Sequence, residues 1–221
     1  MEHSVEYSRE KNINIWENLY SQQEGDLFYP NEYLVRVSHR LLNKEAHHKI
    51  LDYGFGSGTN LIHFLKKGFT VSGVEVSESA IEQVASKLER SGLEAILKHD
   101  KSGIIPFEDD SFDVVIAWQV LIYNDWATFH KAMNEINRVL RSGGIFLGTM
   151  GAVGDFSHSN SISLGNNLFE STVPGQEGAI LMIFEKEDLQ QCFPDKNITV
   201  GMYDFSFAER HSKHWIVSYV K

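Results

Sequence analysis

In the run KILDYGFGSGTN (49–60), Asp52, Gly54, Gly56 and Gly58 stand at alternate positions. An acid followed by three evenly spaced glycines is a pattern that can do chemistry. Glycine permits positive φ and lets the main chain come within contact distance of a ligand. A helix starting after the turn adds free N–H groups and a partial positive charge. A bare Gly-x-Gly is weak on its own, because surface turns use it too. An apolar run before the turn and a helical run after it make a ligand loop at a sheet edge the better reading. Two details bear on the ligand. The dinucleotide fingerprint G-x-G-x-x-G, counted from Gly54, requires glycine where Thr59 stands. Asp52 would also sit badly beside a pyrophosphate, whereas a ligand carrying ammonium and sulfonium groups tolerates it.

The segment D-Y-G-F-G-S-G resembles motif I of the class I S-adenosylmethionine-dependent methyltransferases, of the type 11-like small-molecule kind. The resemblance continues in order along residues 48–150. It includes Glu75 at the end of a second strand, HD at 99–100, PFEDDSFDVVIAWQVLIY (106–123) and EINRVLRSGGIFLGTM (135–150). It implies S-adenosyl-L-methionine as cofactor and S-adenosyl-L-homocysteine as product. Gly54, Gly56 and Gly58 would wrap the donor. Glu75, followed by Val76, would hold both ribose hydroxyls, as one carboxylate can. Asp100 would meet the adenine amine with Lys101 alongside, or else cap the following turn. Asp52 would act through water or hold the loop. Trp118 and Gln119 would meet the methionine part, although Trp118 could instead be core. Arg36, on the helix before the first strand, would pair the donor's carboxylate. Tyr53 and Phe55 depart from the small residues commoner between such glycines and could pack under the turn.

Methyl transfer from a sulfonium is an in-line displacement that needs alignment and exclusion of water more than a dedicated nucleophile. A base is required only where the acceptor must lose a proton. The catalytic residue is therefore left unassigned. His158, Tyr123 and Tyr29 are candidates to face an acceptor, each with packing as the plainer reading. His211 and His214 form H-x-x-H without a third ligand, so no metal is expected, and Cys192 gives no covalent mechanism. WQVLIY (118–123) stands where an Asn-Pro-Pro-aromatic stretch would mark methylation of an adenine or glutamine amine. The leading expectation is transfer to an O or N atom of a small molecule. A non-catalytic cofactor-binding module acting as partner subunit or sensor is the alternative. A nicotinamide oxidoreductase is a distant third.

These residues need a scaffold. HKILDY (48–53), FTVSGVEV (69–76), EAILKH (94–99), FDVVIAW (112–118) and IFLGTM (145–150) read as strands alternating with helices. Such alternation gives a parallel α/β sheet with right-handed crossovers. NITVGMYDFSF (197–207) and HWIVSYVK (214–221) are spaced as an antiparallel hairpin. The expected fold is a Rossmann-like doubly wound, seven-stranded, mostly parallel sheet in one domain over 1–221. A helical cap over 1–45 includes a helix from about Asn31 to Lys44 with Pro30 in its first turn. Ser79-Ala80-Ile81-Glu82 reads as a capping box for the helix after the second strand. The Gly-, Ser- and Asn-rich insert 151–183 is expected to form part of the acceptor site. Trp16, Tyr20, Phe28, Tyr29, Phe156 and Phe169 are the aromatics available for a lid.

The chain of 221 residues carries 20 Lys+Arg against 30 Asp+Glu, a formal net charge of −10. Nucleic acid is a poor expected partner, because a grip on phosphates needs clustered cations. One cysteine allows no internal disulfide. No stretch approaches the roughly 20 apolar residues of a membrane span, and the polar first residues lack a signal-peptide core. A cytoplasmic location without membrane partners is the expectation.

Overall fold

The structure, a computed structural model, describes residues 2–22 and 27–221, with side chains from residue 9 onward. The chain begins with helix α1 (Glu2–Ser21) and helix α2 (Glu32–Leu41). Then follow β1 (Lys49–Tyr53), α3 (Thr59–Lys66), β2 (Thr70–Glu75), α4 (Glu78–Ser91) and β3 (Ile96–His99). Next come β4 (Phe112–Ala117), α5 (Trp126–Val139) and the long β5 (Leu140–Ala152). The insert contributes α6 (Phe156–Ser159), β6 (Ser161–Gly165), β7 (Leu168–Ser171) and β8 (Ile180–Phe184). A 3₁₀ turn (Lys186–Asp188), α7 (Leu189–Cys192), β9 (Thr199–Phe207) and β10 (Arg210–Val220) complete the chain.

Seven strands form the expected sheet in the order β3-β2-β1-β4-β5-β10-β9. The first five are parallel, and β10 pairs antiparallel with both β5 and β9. The order reverses at β1, so the β1/β4 crevice is the topological switch point where ligands of such sheets bind. Consecutive strand residues explain the continuous apolar runs. Ile50 and Val114 enter the core under α2, α3 and α4, while Leu51 and Val115 enter the core under α5. A strand covered on both faces has no reason to alternate.

Several expectations shift by a few residues for local reasons. Asn31 is the N-cap of α2, its side chain accepting from the Tyr33 and Leu34 N–H groups, so Pro30 precedes the helix rather than standing in its first turn. Helix α4 is capped by Ser77, which accepts from Ala80 N–H, rather than by Ser79. The Ser79 hydroxyl instead donates to Glu17 of α1. The C-terminal hairpin closes tighter than expected, with Ala208 and Glu209 alone between β9 and β10. The insert 151–183 has a structure of its own. β6, β7 and β8 form an antiparallel ribbon, and β8 joins the end of β5 in parallel at Gly151 and Ala152. No helix among the described residues is long and apolar enough to cross a membrane.

Candidate active site

At the switch point, the carboxyl ends of the parallel strands open into a cavity of about 470 Å³. That volume suits a drug-sized ligand. Each strand end contributes to the wall. Gly54 and Gly56 follow β1, Glu75 and Val76 follow or end β2, and Asp100 follows β3. Trp118 and Gln119 follow β4, Asp155 and Ser157 follow β5, and His214 comes from the start of β10. Helix α1 forms the opposite wall with Arg9, Asn12, Trp16 and Tyr20.

The glycines divide their work. Gly54, Gly56 and Gly58 all have positive φ, at 70°, 48° and 73°. At Gly56 an added Cβ would collide with the Tyr20 hydroxyl, so only bare backbone fits between β1 and α1. At Gly58, the residue capping α3, a Cβ would lie 2.6 Å from Val84 Cγ2. Gly58 therefore sets the close packing of α3 on α4 and does not line the cavity.

Glu75 is buried and fully engaged with main chain. Its Oε2 accepts from Gly56 N–H at 2.8 Å, and its Oε1 accepts from Val76 N–H at 2.7 Å and Ser77 N–H at 3.1 Å. Burial pushes its carboxyl up, and these N–H groups pull it back. An ionised carboxylate offers about four lone-pair directions, so three bonds leave one facing the cavity. Asp100 stands at the next strand end. Its carboxylate accepts from Ser102 N–H at 2.7 Å and Gly103 N–H at 2.9 Å, holding the turn after β3, and it lines the cavity. Trp118 packs into the core and borders the cavity, and its indole Nε1 is buried without a partner. Gln119 is held at φ 56°, its N–H donating to Thr149 Oγ1 at 2.7 Å.

Besides Gly58, three expected site residues stand outside the wall. Arg36 points to solvent and pairs with Glu32 at 2.6 Å, one turn back on α2; it is not the partner of a ligand carboxylate in this cavity. Lys101 offers its carbonyl to Arg9 Nε at 3.2 Å and does not line the cavity. Asp52 lies behind the loop, where it accepts the Leu61 N–H in the first turn of α3, and its Oδ2 has no partner. Burial, then the nearby charge of Glu75, pushes its carboxyl up to about 7.

Of the aromatics, Trp16, Tyr20 and Phe156 line the cavity. Phe28 and Tyr29 are exposed to solvent, and Phe169 packs edge-on against His158. Tyr123 lines the cavity and stacks edge-to-face on Trp16 at 4.6 Å. His158 accepts from Gly154 N–H instead of facing the cavity. The two histidines of H-x-x-H diverge: His211 contacts Asp204 at 2.7 Å, and His214 turns to Gln119 at 3.1 Å. No cluster of three metal-binding side chains occurs among the described residues.

Sequence reasoning passed over Arg9, Asn12 and Asp155. Asp155 caps α6 through Ser157 N–H at 2.7 Å, a signal readable in principle from Asp-Phe-Ser. Arg9 and Asn12 carry no local signal, because only the docking of α1 brings them to the cavity.

The bare Gly54–Gly56 backbone, Glu75 and Asp100 would suit, in that order, the close approach, the ribose diol and the adenine amine of an S-adenosyl methyl donor.

Residues 50–144 match the methyltransferase domain family. The methyltransferase YcgJ of Bacillus subtilis, itself uncharacterized, is 29% identical over 103 residues, 46% of this chain and 40% of YcgJ. The first curated relatives are thus matched over about two-fifths of their length, 41% and 40%. Among solved structures, a SAM-dependent methyltransferase of Methanosarcina mazei superposes with TM-score 0.71 at 20% identity, covering 89% of this chain and 98% of that one. The 1,6-didemethyltoxoflavin-N1-methyltransferase of Burkholderia thailandensis, solved with that substrate and S-adenosylhomocysteine, superposes with TM-score 0.64 at 16% identity, covering 85% and 75%. The sheet shares its Rossmann-like fold with these solved structures.

Proposed function

We propose that the protein transfers the methyl group of S-adenosyl-L-methionine to an oxygen or nitrogen atom of a small molecule, releasing S-adenosyl-L-homocysteine. One observation carries this reading: the glycine turn, Glu75 and Asp100 stand at the ends of three neighbouring strands in one cavity wall. That order matches ribose and adenine laid across β2 and β3, with the sulfur end toward β4. The bound donor supplies an activated methyl group on a sulfonium. The chain supplies position. Gly54 and Gly56 give bare backbone contact, Glu75 and Val76 hold the ribose, Asp100 holds the base, and Trp118 and Gln119 border the methionine part. Gly58, Asp52 and Lys101 act one step back, shaping the loops that carry those groups. Asp125, Glu75 and Asp100 in the wall favour a cationic ligand over a dinucleotide.

The cavity's far end, between β4, β5 and β10, is left for the acceptor. Phe156, Ser157, Arg210 and Ser212 border it. An acidic chain suits a small-molecule acceptor better than nucleic acid. Isothermal titration with S-adenosylhomocysteine and separately with NADH tests the reading. Binding of S-adenosylhomocysteine is expected, and tight binding of NADH alone would overturn it. Donor binding with no transfer to any acceptor would turn the reading toward a sensor or partner subunit.

A further inference from the structure

Three polar side chains from three separate elements converge in the acceptor end of the cavity. Gln119 follows β4, Asp155 follows β5 and His214 lies on β10. His214 Nε2 stands 3.1 Å from Gln119 Nε2 and 3.8 Å from Asp155 Oδ2. Resting on the methyl-transfer reading, we propose that His214 is the general base of the reaction, taking at Nε2 the proton of a hydroxyl or amine acceptor, while Asp155 stabilises the imidazolium that forms.

The surroundings are built for that role. His214 is 6% exposed, and its Nδ1 has no partner. As placed, the Gln119 amide N–H donates to Nε2, so Nε2 carries the lone pair and the neutral ring carries its proton on Nδ1. Asp155 cannot swing away, because its Oδ1 accepts from Ser157 N–H at 2.7 Å and its Oδ2 from Lys213 N–H at 2.8 Å. The second bond ties the carboxylate to the strand that carries His214. Gln119 keeps a left-handed backbone, φ 56°, that a non-glycine residue adopts only where its surroundings hold it there. Such strain is expected where an amide must point at a reacting atom.

Charge completes the case. Burial lowers the basicity of His214, and the charge of Asp155 offsets part of that effect. The ring is therefore neutral at pH 7 and able to accept a proton. The other groups around it are the Tyr203 ring at 5.6 Å, and Tyr123, Arg210 and His211 in the same cavity. Tyr123 is no rival base, because burial and then Asp155 push its hydroxyl further up. In the step, the acceptor's X–H replaces the Gln119 amide at Nε2. The X–C bond forms as the C–S bond breaks. The C–S electron pair stays on sulfur and the X–H proton goes to Nε2, from where solvent removes it.

The test uses the full chain, methyl-labelled S-adenosylmethionine, and catechol, histamine and sarcosine as acceptors. Dimethyl sulfide serves as an acceptor with no proton to lose. Methylation of at least one of the first three is expected. The expected effect of His214→Gln is a fall in kcat of roughly 10²–10⁴-fold, the scale of general-base catalysis. Its S-adenosylhomocysteine affinity should stay within about twofold. Independently of turnover, imidazole NMR should show His214 titrating below the ordinary 6.5, and lower still in Asp155→Asn. If His214→Gln unfolds, His214→Asn is used, and the wild-type acidic limb of kcat reports the same group. Retained turnover in His214→Gln, transfer confined to dimethyl sulfide, transfer to none of the four, or titration at or above 6.5 would each overturn the proposal. Loss of S-adenosylhomocysteine binding by the wild-type protein would instead sink the methyl-transfer reading beneath it.

Discussion

Asp52 and Glu75 show how two buried carboxylates can split one task. Glu75 faces the cavity and spends three lone pairs on the Gly56, Val76 and Ser77 N–H groups. Glu75→Ala should weaken S-adenosylhomocysteine binding by roughly 1.5–3 kcal/mol, the scale of hydrogen bonds to a charged group. Calorimetry checks this, and an unchanged affinity would remove Glu75 from the ribose role. Asp52 sits behind it with one oxygen unpartnered and a carboxyl raised from 3.8 to about 7. A raised folded-state value means the folded protein holds a proton that the unfolded chain gives up. That contribution to stability is full below about pH 4 and is lost as pH rises through 7. At about 1.4 kcal/mol per unit, the three-unit shift sets an upper bound of about 4 kcal/mol. Asp52→Asn keeps an acceptor for the Leu61 N–H but cannot ionise. Its melting temperature relative to wild type should therefore be higher at pH 8 than at pH 5. An offset that does not change between these values would show Asp52 ionised throughout.

At the level of elements, the segment E-I-N-R (135–138) shows what an apolar pattern hides. Ile136 is core, as its spacing requires, but Arg138 ties α5 to the chain between β3 and β4. It donates to Glu135 at 2.7 Å and to the carbonyls of Ile105 and Phe107 at 2.8 and 2.9 Å. Its pair with Asp109 is largely exposed, so screening leaves that bond worth little. Arg138→Ala should cost roughly 2 kcal/mol in urea unfolding, and Arg138→Lys should recover little because lysine lacks the planar fork. Full recovery by lysine would mean that charge alone matters there. The same elements explain what the sequence made legible. β1, β2, β4 and β5 were readable because strands covered on both faces are largely apolar, and Gly68 and Gly92 end α3 and α4. The ribbon β6–β8 was not. Ile162 and Leu164 of β6 are exposed, so no burial pattern marks the strand, and its Gly and Asn residues read as loop. Arg36 was misplaced for a related reason. A helix's position in the chain does not say which of its faces meets the site, and the Glu32 pair one turn back lies on the solvent side.

On the scale of the whole molecule, the cavity exists because α1 closes over the sheet edge from the other end of the chain. The helix is held by polar contacts rather than a greasy stripe. Asn12 donates to the carbonyls of Tyr123 and Ile180 at 3.0 and 3.2 Å and accepts the Ile180 N–H at 3.0 Å. Glu17 accepts from the hydroxyls of Ser77 and Ser79, and Gln83 donates to the Tyr20 carbonyl. These bonds fasten one helix to the ends of β2, β4 and β8 together. Asn12 reaches residues 111 and 168 positions away, which is why no local reading could find it. Because Asn12 is itself buried, Asn12→Ala should leave the Ile180 N–H without its partner and cost roughly 1–3 kcal/mol. That cost should fall on the docking of α1 more than on the sheet. Hydrogen exchange should then speed up across α1 while β1, β4 and β5 stay protected. S-adenosylhomocysteine affinity should fall several-fold, since Tyr20 and Trp16 no longer cover the Gly54–Gly56 backbone. Equal acceleration in α1 and in the central strands would show instead that helix and sheet unfold as one unit, and that α1 is part of the core rather than a cover over the cavity.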